Sequence, residues 1–105
     1  MAEEYNGWTN YETWNVKLWI DNDEGTQRDW EARARQALRA ADGDRDEAIE
    51  ALADELRQWV EDNNPLAGSP SMYSDILTAA LESTNYREIA EAWIGESAEQ
   101  LAAEE

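Results

Sequence analysis

The chain has 105 residues, enough for one domain with a modest core of its own, and it contains neither cysteine nor histidine. That removes disulfides, thiol nucleophiles, thiolate metal sites and the commonest general base, so any catalysis would fall to carboxylates, hydroxyls, Lys17 or the arginines. Its 25 acidic residues against 8 basic ones set a formal charge of −17, which repels nucleic acid and anionic membranes and favours a basic protein as partner.

No apolar run approaches the roughly 18 residues of a membrane span, and no charged-then-apolar segment opens the chain. The expected setting is the cytoplasm. The acidity has a second reading: only one of the eight basic residues is a lysine, a bias that suits a salt-rich cytoplasm or a GC-rich genome.

Residues 1–6 read as a loosely held lead-in with Tyr5 as its anchor. Residues 7–22, GWTNYETWNVKLWIDN, hold three of the six tryptophans. Thr9 and Glu12 have the spacing of a capping box, which predicts a helix beginning at Thr9. On it Tyr11, Trp14 and Leu18 share one side while Val16, Trp19 and Ile20 continue round, leaving Asn10, Thr13, Lys17 and Asp21 as a narrow polar edge. A helix apolar over so much of its girth is expected to be the central one, its tryptophans serving as core or interface anchors rather than a base-stacking platform.

Residues 21–25 imitate a calcium loop, but the glycine and glutamate fall at the wrong spacing, which predicts a turn. Thr26 with Asp29 opens a second helix running to about Ala41, with Trp30, Ala34, Ala37, Leu38 and Ala41 as its stripe. Arg28, Arg35 and Arg39 line the opposite face. Together with Arg33 they give residues 27–41 a net charge of +2, leaving −19 for the rest of the chain. These arginines are expected to pair with neighbouring acidic helices or with a second copy, each exposed pair contributing about 0–1 kcal/mol.

Gly43 is a natural helix stop, and Asp44 with Glu47 is a cap signature for a third helix from about Arg45 to Asp62. Asp42, Asp44 and Asp46 also resemble a calcium loop, yet no glycine follows Asp46 and Ala53 stands where the glutamate belongs. Ile49, Leu52, Ala53, Leu56, Trp59 and Val60 make a continuous stripe; opposite it, Glu47, Glu50, Asp54 and Glu61 fall within about 60° of arc. These four carboxylates span about 21 Å, whereas one DNA strand presents a phosphate about every 3.4 Å. A single helix is therefore too sparse to copy a phosphate backbone, and acidic faces of two or more helices would have to combine.

Residues 63–71, NNPLAGSPS, form the one long loop. A fourth helix follows to about Ser83, with Tyr73, Ile76, Leu77, Ala80 and Leu81 as its stripe. A fifth has the same pattern thirteen residues later, at Tyr86, Ile89, Ala90, Trp93 and Ile94. Its entry, Thr84-Asn85-Tyr86, echoes Thr9-Asn10-Tyr11 as a cap followed by an aromatic. From Glu88 onward there are six acidic residues and no basic one, and residues 95–105 read as a frayed helix or tail. The whole is predicted to be an all-α, compact single-domain bundle of about five helices over residues 1–105.

The opening Gly7-Trp8-Thr9-Asn10-Tyr11-Glu12-Thr13-Trp14-Asn15-Val16, continued by Leu18-Trp19-Ile20-Asp21-Asn22, resembles the signature of a family of small proteins carried by phages, plasmids and other mobile elements. Residues 71–77 and 86–90 are similar to that family's second half. The resemblance brings no catalytic residue with it. It implies a setting in which many small proteins disarm host defences, several of them acidic mimics of nucleic acid.

Three functions follow as expectations. In the first, an acidic helical surface occupies the positively charged nucleic-acid site of a host effector, such as a CRISPR complex or a restriction enzyme, through Glu47, Glu50, Asp54 and Glu61, supported by Asp42, Asp44 and Asp46. In the second, a structural or adaptor protein owes its acidity to solubility or halophily and binds through an aromatic surface or dimer interface, using any of Trp8, Trp19, Trp59 or Trp93 left exposed. The third, an enzyme using paired carboxylates with magnesium, lacks a companion nucleophile or a phosphate-cradling glycine loop. No catalytic residue, cofactor or metal is expected; the expected partner is a basic protein, with a homodimer compatible and nucleic acid and membrane disfavoured.

Overall fold

The computed structural model describes residues 4–104, so residues 1–3 of the lead-in and residue 105 of the tail lie outside the described part. Five helices follow one another, α1 (Tyr11–Asn22), α2 (Glu24–Ala40), α3 (Arg45–Asp62), α4 (Met72–Ser83) and α5 (Tyr86–Glu104). They build the single-domain all-α bundle that the periodicities predict.

Each helix begins where a short polar side chain satisfies a free backbone N–H. Asp44 does so for α3, accepting from the Glu47 N–H at 3.2 Å. Ser71 and Ser74 cap α4 reciprocally, at 3.0 and 2.9 Å. Two expected starts are corrected. The cap of α1 is Asn10, whose Oδ1 accepts from the Thr13 N–H at 2.9 Å. The cap of α2 is Asp23, which accepts from the Thr26 N–H at 2.9 Å, so Thr26 lies inside the helix. Asp23 is extended and is the only residue between α1 and α2. Its own N–H donates to the Ile20 carbonyl, so one residue ends one helix and starts the next.

Tyr5 to Trp8 form a tight reversal ahead of α1. Asn6 and Gly7 take φ of 48° and 88°, the left-handed pair of a primed two-residue turn, and the Tyr5 and Trp8 N–H groups each donate to the other's carbonyl at 2.8 Å. Tyr5 then packs its ring on Tyr11 and Trp14, with centroids at 5.2 and 4.9 Å.

The core lies between α2, α3 and α5. Trp30 is fully buried, stacks on Trp93 at 5.3 Å and meets the edge of Trp59 at 5.6 Å. Leu52, Leu56, Ile89 and Ile94 fill the space around them. The central helix is therefore α5, which touches α1, α2 and α3. This corrects the role expected of α1, which buries only Thr13 and Ile20 and leaves Trp19 66% exposed. The helix was apolar all round because its sides meet different neighbours: α2 and α5, α4, and the tyrosine turn. A second correction concerns the C-terminal stretch. It continues α5 to Glu104, with Ser97 buried and Ala98 and Leu101 packed on the core.

Candidate partner-binding surfaces

The carboxylates of α3 stand where helical spacing puts them. Glu47, Glu50, Asp54 and Glu61 are all exposed on the side away from the Leu52–Leu56 stripe. Asp42, Asp44 and Asp46 are exposed at the entry to the helix. Asp42 adopts a φ of 54° next to Gly43 at 85°, which turns the chain, while Asp44 is committed to its cap.

The acidic surface is not bare. Arg87 of α5 pairs with Glu50, lies 4.0 Å from Asp46, and reaches Glu91 on its own helix at 3.2 Å. Three carboxylates thus share one guanidinium, which draws carboxylates of two helices onto one surface. Glu61 sits apart, in a small cleft of about 370 Å³ with Arg57, Glu82 and Tyr86. Tyr86 donates its hydroxyl to the Leu81 carbonyl at 2.9 Å, and burial pushes its phenol above the ordinary value of 10.0.

The arginine face of α2 divides. Arg28 pairs with Glu24 one turn earlier. Arg33 bridges Asp29 at 3.0 Å and Glu55 of α3 at 2.7 Å, and covers the Trp30 ring at 4.6 Å. Among the described residues no carboxylate lies within 4.0 Å of Arg35 or Arg39. No group of three carboxylates close enough to hold a metal ion occurs among the described residues. No helix there is long and apolar enough to cross a membrane.

A different surface emerges beside α4. This helix packs chiefly on α1, and it has no buried residue. Tyr73 and Ile76, expected in the core, are 69% and 63% exposed. Between α4, α1 and the C-terminal end of α3 runs an open groove of about 1010 Å³. Val16 and Trp19 come from α1, Trp59 and Val60 from α3, and Leu77 and Leu81 from α4. Asp23 is the one charged residue along it. The hydrogen bond from the Thr26 N–H, with the Thr26 side chain close by, holds the Asp23 carboxyl below its ordinary value of 3.8.

The two Thr-Asn-Tyr turns meet in space. Asn85 caps α5, its Oδ1 accepting from the Glu88 N–H at 3.0 Å, as Asn10 caps α1. The Asn85 N–H donates to the Thr13 hydroxyl at 2.8 Å, and that hydroxyl donates to Asn10 Oδ1 at 2.6 Å. Asn85 Nδ2 donates to the Thr9 hydroxyl at 3.2 Å, the Thr9 N–H donates to Glu88 Oε1 at 2.8 Å, and Asn10 Nδ2 donates to the Ser83 carbonyl at 2.8 Å. Thr9 is unavailable as a cap because its groups are spent on α5. The joint ties the start of α1 to the start of α5.

A family model described as "Family of unknown function (DUF7249)" matches residues 1–88. The chain belongs to that family. No curated protein and no solved structure matches it. The stretch shared with DUF7249 holds both Thr-Asn-Tyr turns and ends at Glu88, the residue that closes the joint with Thr9. The joint between α1 and α5 therefore lies within the stretch matched to DUF7249. The exposed stripe of α4 escaped sequence reasoning because its spacing is that of a core-facing helix. The Asn6-Gly7 pair was a legible turn signal that the reading of a loose lead-in passed over.

Proposed function

We propose that this protein is a non-enzymatic acidic binding protein of the host cytoplasm, which mimics nucleic acid and occupies the positively charged site of a host defence effector such as a CRISPR complex or a restriction enzyme. The observation supporting this reading is the exposure of Glu47, Glu50 and Asp54 on one face of α3, with Glu91 of α5 drawn alongside through Arg87. Carboxylates from two helices relieve the sparseness of one, and basic side chains of an effector would gain charge-assisted hydrogen bonds in place of phosphate. The test is inhibition of DNA cleavage by a panel of host CRISPR and restriction nucleases. Inhibition should weaken steeply from about 0.1 to about 0.5 M salt as screening shortens, and should be lost in Glu47→Lys/Asp54→Lys. A panel left uninhibited, or a charge-reversed variant as potent as the parent, refutes it.

A second reading is favoured by the exposed Trp19: a structural or adaptor protein of a mobile element, acidic for solubility or halophily, that binds through an aromatic surface. Melting in dilute buffer and in multimolar salt separates halophily from mimicry, because a halophilic chain folds only in the latter.

A further inference from the structure

We infer that the groove between α1, α4 and the end of α3 receives an amphipathic helix with basic flanks, supplied by a partner protein. This rests on the aromatic-surface reading above and is independent of Glu47, Glu50 and Asp54.

The shape favours a macromolecular segment. At about 1010 Å³ and open along one side, the groove sits at the upper limit of pockets that enclose small molecules, at about 300–1,000 Å³. Its apolar lining comes from helices, Val16 with Trp19 from α1 and Leu77 with Leu81 from α4, and a furrow beside packed helices takes the stripe of a further helix. A peptide added as a β-strand would need a free sheet edge, and the five helices of the described residues provide none. Trp19, a large aromatic at the wall and 66% exposed, is the residue type that anchors such contacts.

The charge selects the occupant. Asp23 is the lone charged residue along the groove, and the adjoining cleft, which shares Asn64 and Leu81 with it, carries Glu61 and Glu82 against the single cation Arg57, so the rim on that side is net acidic. Lys17, next to Val16, is withdrawn: it is paired with Asp21 and lies 5.5 Å from the Trp93 ring centre. Apolar walls with an acidic rim complement leucine-like stripes flanked by lysine or arginine. A second copy of this chain is the wrong occupant, because a symmetric interface would oppose two such rims on molecules of −17 each.

The experiment titrates the full chain with a synthetic leucine/lysine amphipathic peptide of about 14 residues, about four helical turns, and with its leucine/glutamate counterpart. Calorimetry gives affinity, and amide and indole NMR shifts give location. The expected result is binding of the basic peptide alone, with shifts at Trp19, Leu77 and Leu81. Affinity should fall at least about tenfold in Trp19→Ala and in Leu77→Ser, the size expected when an anchoring contact is removed, and stay unchanged in Glu47→Lys/Asp54→Lys. Circular dichroism confirms that each variant keeps its helices, and the NMR map stands whether or not Leu77→Ser folds. Shifts confined to the Glu47–Asp54 part of α3, unchanged affinity in Trp19→Ala, or equal binding of the acidic peptide overturns the inference. A dimer in sedimentation that Trp19→Ala dissociates also overturns it, while leaving the aromatic-surface reading standing.

Discussion

Replacing Thr13 by valine should destabilise the protein more than replacing it by serine. Thr13 is fully buried, and its hydroxyl accepts from the Asn85 N–H at 2.8 Å while donating to Asn10 Oδ1 at 2.6 Å. Valine fills nearly the same space but leaves the Asn85 N–H without its acceptor; Asn10 Oδ1 keeps the Thr13 N–H at 2.9 Å. An unsatisfied donor at such a site costs about 2 kcal/mol. With an unfolding entropy of about 0.22 kcal/mol/K for a chain of this size, Tm should fall by about 9 °C. Serine preserves both hydrogen bonds and loses one buried methyl, worth about 1 kcal/mol and therefore about half that shift. Urea and thermal unfolding of the two variants measure this directly. If Thr13→Val were as stable as the parent, or Thr13→Ser the worse of the two, the hydroxyl would not be the link between α1 and α5. Both variants should bind the leucine/lysine peptide like the parent below their melting range, since the joint forms no part of the groove.

Gly95 lies within α5, and a Cβ built there meets nothing within 4 Å, so Gly95→Ala should raise stability by about 0.5–1 kcal/mol in urea titrations through helix propensity and a less flexible unfolded chain. Asp23 titrates below its ordinary 3.8 in the fold, so its cap stabilises fully above the unfolded value and is lost as pH falls through the folded one; Asp23→Asn should flatten that part of the urea midpoint's acid dependence. Tyr86 titrates above 10.0 in the fold, so its contribution is whole below pH 10.0 and disappears as pH rises through the folded value; Tyr86→Phe should remove that alkaline loss and cost about 1 kcal/mol at neutral pH for the hydrogen bond to Leu81. Arg87→Ala, by contrast, should cost no more than about 1 kcal/mol in the same titrations, because its pairs with Glu50 and Glu91 are exposed to solvent.

How much of this was legible can be judged helix by helix. For α3, cap, stripe and acidic face were all written in the spacing, because Asp44 acts within its own helix and the stripe meets the core directly. The start of α1 was misread because its decisive partners, Asn85 and Glu88, are more than seventy residues away. A local rule assigns Thr9 to the nearest free N–H and cannot see a competitor arriving from α5. The seven carboxylates were correctly placed at the surface, but Arg87 beside Glu50 was invisible for the same reason.

The fourth and fifth helices carry this furthest. Tyr73, Ile76, Leu77, Ala80 and Leu81 have the same spacing as Tyr86, Ile89, Ala90, Trp93 and Ile94, and periodicity alone assigns both to the core. In the fold every member of the second set is buried, and none of the first is. Periodicity fixes which face of a helix is apolar; only the neighbours decide whether that face is covered. Here α5 is enclosed by α1, α2 and α3, whereas α4 has α1 to pack on and a groove beyond it. An apolar stripe written as strongly as a core stripe, yet left open next to an exposed tryptophan, has the composition of an interface whose second half belongs to another molecule. That contrast between two similarly patterned helices, more than the acidity spread over the whole chain, is what supports the proposed docking of a partner at the groove.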